Sequence, residues 1–327
     1  MARLARRKEI TSLTAQLPMK KLLFSILLVT ALCLDVADAQ IFTANFSMGA
    51  IGEYNFDGSP INPSLISGLG TGIYGLAADN SGHLFVANYY TGTIGEYSTS
   101  GATINASLIT GVGNPTGIAL DANGHLFVAN SAANVIGEYT TAGATINSAL
   151  ISGIGVSWGL ALDNSGHIFE INYGTGTIGE YSTNGTPVNP TLISGLSSPQ
   201  GIVVGQNGAL FVGSANGGTI GMYSTNGGAL NASLISGLGR VNGLANDGLG
   251  HLYVAAFPNA FLNTARIGEY NENGTVVNGA LISGLNGVEN LVVVIPEPST
   301  VSLILLAFAT VTVFKSKKRG QLSPSAL

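Results

Sequence analysis

Four histidines, His83, His125, His167 and His251, recur along the chain at related positions, each just after a turn rich in Asp, Asn and Gly. Histidine is the side chain best suited to general acid–base work near neutral pH, so these four are the first candidates for chemistry. The turns before three of them, Asp79-Asn80-Ser81-Gly82, Asp121-Ala122-Asn123-Gly124 and Asp163-Asn164-Ser165-Gly166, could be read as calcium loops. They supply too few ligands over too short a stretch, and the same residues are what a hairpin turn needs. A second carboxylate series, Glu53, Glu96, Glu138, Glu180 and Glu269, has Met222 in its sixth place. Glu170 differs from all of these, because it stands where related segments carry Val86, Val128, Val212 and Val254. A carboxylate at an apolar position needs a partner or a raised pKa, which makes Glu170 a candidate buried functional group.

The spacing of these residues comes from an internal repeat. The phrase IGEY and its variants begin at Ile51, Ile94, Ile136, Ile178, Ile220 and Ile267, and LISG or LITG keeps step at Leu65, Leu108, Leu150, Leu192, Leu234 and Leu281. A period of about 42 residues with Gly-rich turns marks the blades of a β-propeller. One unit, from Thr116, reads TGIALDANGHLFVANSAANVIGEYTTAGATINSALISG. It divides into strand a at Gly117–Asp121, b at Leu126–Asn130, c at Val135–Tyr139 and a weaker d around Ile146–Ile151, each bounded by turn residues. Strands a and b are almost continuously apolar, as expected of blades covered on both faces. Residues equivalent by repeat lie around a ring, so the four histidines do not converge on one metal.

Strand b occurs six times, starting at Ile41, Leu84, Leu126, Ile168, Leu210 and Leu252, whereas a sixth strand a is found only at Asn290–Val294. The expected fold is therefore all-β, a six-bladed propeller over residues 40–294, closed by the C-terminal strand joining the N-terminal blade. The unit PTGIALDANGHLFVANSAANVIGEYTTAG, from Pro115, resembles the NHL repeat, a six-bladed propeller module, in its Pro-x-Gly opening, Asp-x-x-Gly turn and aromatic-Val-Ala strand. It departs where Asn88, Asn130 and Asn172 replace an acidic residue, and the Arg-Ile entry to strand c survives only at Arg266-Ile267.

Charge is sorted by region. Between Gln40 and Val294 the basic residues are Arg240 and Arg266, set against carboxylates that bring this region to about minus eleven, which repels phosphate backbones and argues against nucleic acid. Lys20 and Lys21, the apolar run Leu22–Leu34 and the small residues Ala37-Asp38-Ala39 form a secretory leader, with Met19 as the expected true start. Cys33, the single cysteine, falls inside it, so the exported domain is expected to be free of thiols.

At the other end, Pro296, Glu297 and Pro298 precede an apolar span over 299–314 and the basic stop Lys315, Lys317, Lys318 and Arg319. This order is similar to the PEP-CTERM sorting signal of bacterial exported proteins. The resemblance implies an exosortase-like processing partner and delivery to the cell surface or exopolysaccharide matrix. The extra tail Gly320–Leu327 departs from the pattern. The chain thus divides into an extension and leader at 1–39, the propeller, and a sorting region at 295–327.

Within the propeller, the least repetitive residues fall in loops expected to share one face. The d–a loops contribute Tyr74, Asn114, Trp158, Gln200, Arg240 and Glu289, and the b–c loops contribute Tyr89, Tyr90, Tyr173, Phe257 and Phe261. Aromatic rings beside amide and guanidinium groups suit a sugar or peptide surface. The leading expectation is a non-enzymatic binding or scaffold protein for glycan or protein, with no cofactor. The alternative is an enzyme of the lactonase or lyase kind, which resembles this fold but holds a metal in its channel. For that reading Asn45, Asn88, Asn130 and Asn172 are the residues that would point inward.

Overall fold

The computed structural model describes residues 39–79, 81–259 and 264–295, and Ala39–Ile295 form one compact unit. The anticipated leader, the Pro296–Pro298 motif, the span over 299–314, the basic stop and Phe261 lie outside the described residues. Six antiparallel sheets of four strands each make six blades. Blade 3 has a at Pro115–Leu120, b at His125–Asn130, c at Val135–Thr140 and d at Thr145–Ser152. Strand d is a full eight-residue strand, stronger than its sequence suggested. The innermost strands of blades 2 to 6 are Ile73–Ala78, Pro115–Leu120, Ser157–Leu162, Pro199–Val204 and Arg240–Asn246.

The ring closes as the strand count requires. The last strand, Val288–Val294, pairs antiparallel with Gln40–Asn45, with Gln40 opposite Val294 and Thr43 opposite Leu291. It becomes the inner strand of blade 1, outside which lie Ala50–Asn55 and Pro60–Ile66. The Phe46 N–H adds a bond of 2.8 Å to the Gly287 carbonyl at the same seam.

Stability comes from sandwiches between neighbouring blades. Phe85, Ala87, Ile94 and Ile109 of blade 2 pack against Ile118, Leu126, Val128 and Tyr139 of blade 3, and the pattern repeats around the ring. Phe42, Phe85, Phe127, Phe169, Phe211 and Tyr253 occupy one repeat position on strand b, and all are fully buried. Each such burial contributes roughly 1.5–3 kcal/mol.

Strand a carries a second device. Pro115 opposes Asn130 and Ile118 opposes Val128, so Thr116 and Gly117 together face one residue, a β-bulge. The same irregularity falls at Ile73/Leu76, Ser157/Leu160, Pro199/Ile202, Val241/Gly243 and, in the closing pair, Ala44/Asn45. The bulge glycines permit inner strands to approach closely. A Cβ on Gly75 would lie 2.2 Å from the Thr116 carbonyl oxygen, and one on Gly159 2.6 Å from that of Gln200. Gly75→Ala is therefore expected to destabilise the propeller by about 1–3 kcal/mol through overpacking. Equilibrium urea unfolding checks this; a variant as stable as wild type would mean that the inner strands can spread apart.

Candidate functional site

Each inner-strand bulge turns one side chain toward the channel mouth, and these form a ring: Tyr74, Thr116, Trp158, Gln200, Asn242 and Glu289. All six border a cavity of about 370 Å³ on the axis of the ring. Five of the six residues expected in d–a loops lie within strands instead. Tyr74, Trp158, Gln200, Arg240 and Glu289 all lie inside inner strands, because strand a begins about two residues before its apolar run. Thr116 and Asn242 were missed altogether. The signal that could have found them is the residue before the bulge glycine, at Gly117 and Gly243.

Aromatic rings line one side of the mouth. Trp158 stacks on Tyr173 with centroids 4.9 Å apart, and Tyr74 meets Trp158 edge-on at 5.5 Å. Those two come from blades 2 and 4, so they meet past blade 3, whose ring residue is the small Thr116. Tyr74 also contacts Tyr89 at 5.2 Å and Phe46 at 5.1 Å, while Phe46 and Tyr89 both touch the exposed Tyr90. Phe46 was not among the residues singled out from sequence. Burial, and after it the negative charge of Glu289, push the Tyr74 hydroxyl up to about 12, so it remains a proton donor under ordinary conditions.

The opposite side is polar, and its charged groups are paired with each other. Arg240 Nη2 donates to Glu289 Oε1 at 3.1 Å, Arg240 Nε donates to Asn242 Oδ1 at 2.8 Å, and Asn242 Nδ2 donates to Glu289 Oε2 at 2.6 Å. Burial raises the Glu289 carboxyl, and Arg240 and Asn242 act against that rise. Phe257 is 4% exposed on strand b of blade 6 and lies under the Arg240 guanidinium, 5.1 Å from its carbon. Phe257 therefore supports Arg240 rather than facing a ligand, a correction to its expected loop position. Gln200 is 8% exposed, and its Oε1 has no hydrogen-bond partner among the described residues.

Other expectations change. Asn114 stays in a loop with φ of 49°, but its Nδ2 donates to the Tyr89 carbonyl at 3.1 Å, so it ties two blades together rather than facing the mouth. Asn45, Asn88, Asn130 and Asn172 do not point inward as metal ligands. Each side-chain oxygen accepts a backbone N–H from the following b–c turn, of Met48, Tyr90 and Thr91, Ala133 and Thr175 respectively. Among the described residues no three His, Cys, Asp or Glu side chains gather as a metal site would need.

The histidines lie on the opposite face, because strand b begins with His83 and reaches the mouth level at Asn88, opposite Ile73. Asp79 Oδ1 accepts the N–H groups of Ser81 and His83, and His83 Nδ1 lies 2.8 Å from Asp79 Oδ2 and 3.9 Å from Glu96. Blades 3 and 4 repeat the arrangement with Asp121, His125 and Glu138, and with Asp163, His167 and Glu180. The carboxylates thus join turn and strands within a blade. In blade 1 Glu53 Oε1 accepts from Gln40 Nε2 instead.

Glu170 is 1% exposed in the seam facing blade 3, and its Oε1 has no hydrogen-bond partner among the described residues. Burial pushes it up to about 7, and the nearby Ser157 hydroxyl offsets part of the rise. The folded state thus keeps this proton to higher pH than the unfolded chain. The contribution of Glu170 is intact below the ordinary carboxylate range and is lost as pH climbs toward 7. Glu170→Val, restoring the repeat residue, is expected to stabilise the protein by about 2–3 kcal/mol more at pH 8 than at pH 5. Urea unfolding at both pH values reads this, and an equal effect at both would show that Glu170 titrates normally.

Residues 31–284 match the family model of the virginiamycin B lyase family. Among solved structures, a protein of unknown function from Bacteroides caccae superposes with a TM-score of 0.62 at 15% identity, covering 79% of this chain and 99% of that one. A gluconolactonase from Xanthomonas campestris gives 0.58 at 15% identity, covering 80% and 84%. A catalytically inactive virginiamycin B lyase from Staphylococcus aureus, solved with quinupristin, gives 0.54 at 18% identity, covering 76% and 86%. At these identities the likenesses establish the propeller fold. No curated protein matches the sequence.

Proposed function

The chain belongs to the virginiamycin B lyase family; within that fold we propose that it is a non-enzymatic binding or scaffold propeller of the bacterial surface or extracellular matrix. Its leader directs export. The Pro296–Pro298 motif, the following span and the basic stop make it a client of an exosortase-like processing enzyme. The propeller then engages a glycan or an exposed protein segment through the channel mouth.

The observation that carries this reading is the mouth itself. An aromatic wall of Tyr74, Trp158 and Tyr173 faces a polar side whose charges are already paired. Such a surface offers apolar contact and neutral hydrogen bonding, which is what recognition needs. A lyase or lactonase reaction needs a free base beside the bound substrate. The mouth carboxylate Glu289 is tied to Arg240 and Asn242, and the histidines lie on the far face.

Family membership nevertheless favours a second reading, an enzyme of the lyase or lactonase kind acting at this same mouth. The two part on turnover. Purified protein is expected to bind members of a glycan and peptide panel, to lose at least tenfold in affinity in Trp158→Ala and Tyr74→Ala, and to leave quinupristin and sugar lactones intact. Ring opening of either compound would establish the enzyme reading. Unchanged panel binding by both variants would move the site away from the mouth.

A further inference from the structure

We infer that the channel mouth receives the terminal residue of an uncharged glycan end-on, with a sugar face on the aromatic wall and hydroxyls on Gln200. This rests on the mouth being the binding site proposed above and adds the class of ligand and its direction of entry.

The class follows from which polar groups remain unpaired. The Gln200 Oε1 atom is buried without a partner among the described residues, an arrangement that costs free energy until a donor reaches it. Gln200 borders the axial cavity, so that donor can come from a ligand. Around the same cavity, the Tyr74 hydroxyl and the Trp158 indole N–H enter no hydrogen bond with protein among the described residues. The free set therefore contains an acceptor, a donor and a hydroxyl that can act as either. A ligand group that both donates and accepts hydrogen bonds answers all three, and a hydroxyl does so. Charge selects further. Arg240 and Glu289 neutralise each other within the mouth, so neither a carboxylate nor an ammonium on the ligand finds an unpaired counter-ion there. The half-buried faces of Tyr74 and Trp158 match the C–H face of a saturated ring.

Direction of entry follows from closure. Six inner strands surround the cavity and the last of them seals the ring, so the described residues leave no lateral opening through which a polymer could slide. At about 370 Å³ the space is at the small end of ligand sites and suits one or two sugar rings. Only a chain end can reach Gln200.

Trp158 is the single tryptophan of the chain, so its emission reports on the site without a label. The experiment titrates purified protein with methyl glycosides of neutral hexoses, with glucuronate and with glucosamine. It then compares one neutral polysaccharide that binds, intact and after partial hydrolysis, at equal mass. Neutral glycosides are expected to shift Trp158 emission and the charged sugars to do so at least tenfold more weakly. The hydrolysed polymer should respond in proportion to its added chain ends. Gln200→Met should weaken binding about tenfold with unchanged emission before ligand is added, and Tyr74→Phe should weaken it less. Equal response of intact and hydrolysed polymer overturns end-on entry. Preference for a charged sugar, an unaffected Gln200→Met variant, or no response to any glycan overturns the sugar assignment. Calorimetric binding of a peptide that Trp158→Ala abolishes would overturn the sugar assignment while leaving the mouth as the binding site.

Discussion

The close packing of six inner strands around one axis is the constraint on which the rest of this molecule depends. A Cβ at Gly117 would sit 2.8 Å from the Trp158 carbonyl oxygen, and at Gly243 it would meet the closing strand at 2.9 Å. Only glycine leaves room for that approach, and the crowding is taken up by a bulge that sets two residues against one. The residue before each glycine is thereby turned into the mouth. Ring geometry and the lining of the mouth are consequently one feature. The closing strand is the exception, with Asn290 in the glycine place, its Oδ1 taken up by the N–H of Leu291.

Repetition and departure from it divide the chemistry of the chain. The Asp, His and Glu that recur together join turn and strands on the face away from the mouth, and blade 5 shows that they act as a unit. There Gly205, Ala209 and Met222 replace all three, and Glu272 of the next blade caps the turn by accepting the Gln206 N–H at 2.8 Å. Groups present in several copies maintain blades. Groups present once, such as Trp158, Gln200, Glu170 and Glu289, distinguish one blade from another. Blade 4 concentrates such groups: Ser157 and Glu170 are buried side by side, and each lies close in sequence to a member of the stacked pair Trp158 and Tyr173.

Much of the architecture could be read directly. The period, the order of strands and the missing first strand a required a closed ring, and the closing pair of Gln40–Asn45 with Val288–Val294 meets that requirement. The site was legible in part. Tyr74, Trp158, Gln200 and Glu289 stand out as unique residues at a repeated place, whereas Thr116 and Asn242 were hidden by an offset of two residues. Asn114 and Arg240 stand out in the sequence in their stead, since a run of turn residues hides where a bulged strand begins. Phe257 falls among apparent loop residues in the sequence, but strand b of blade 6 continues through it to Asn259.

The amino-acid sequence by itself determined the number of blades, the closure and the sorting of charge, because these follow from local patterns that recur and can be counted. Which side chains meet was decided by the tertiary structure. Tyr74 and Trp158 lie far apart in the chain and two blades apart in the ring, and they touch only because the residue between them is a threonine and the inner strands converge. The pairing of Arg240 with Glu289 and the unpartnered oxygen of Gln200 have the same origin. Contacts across a closed ring depend on curvature summed over every blade, and no local pattern carries that sum.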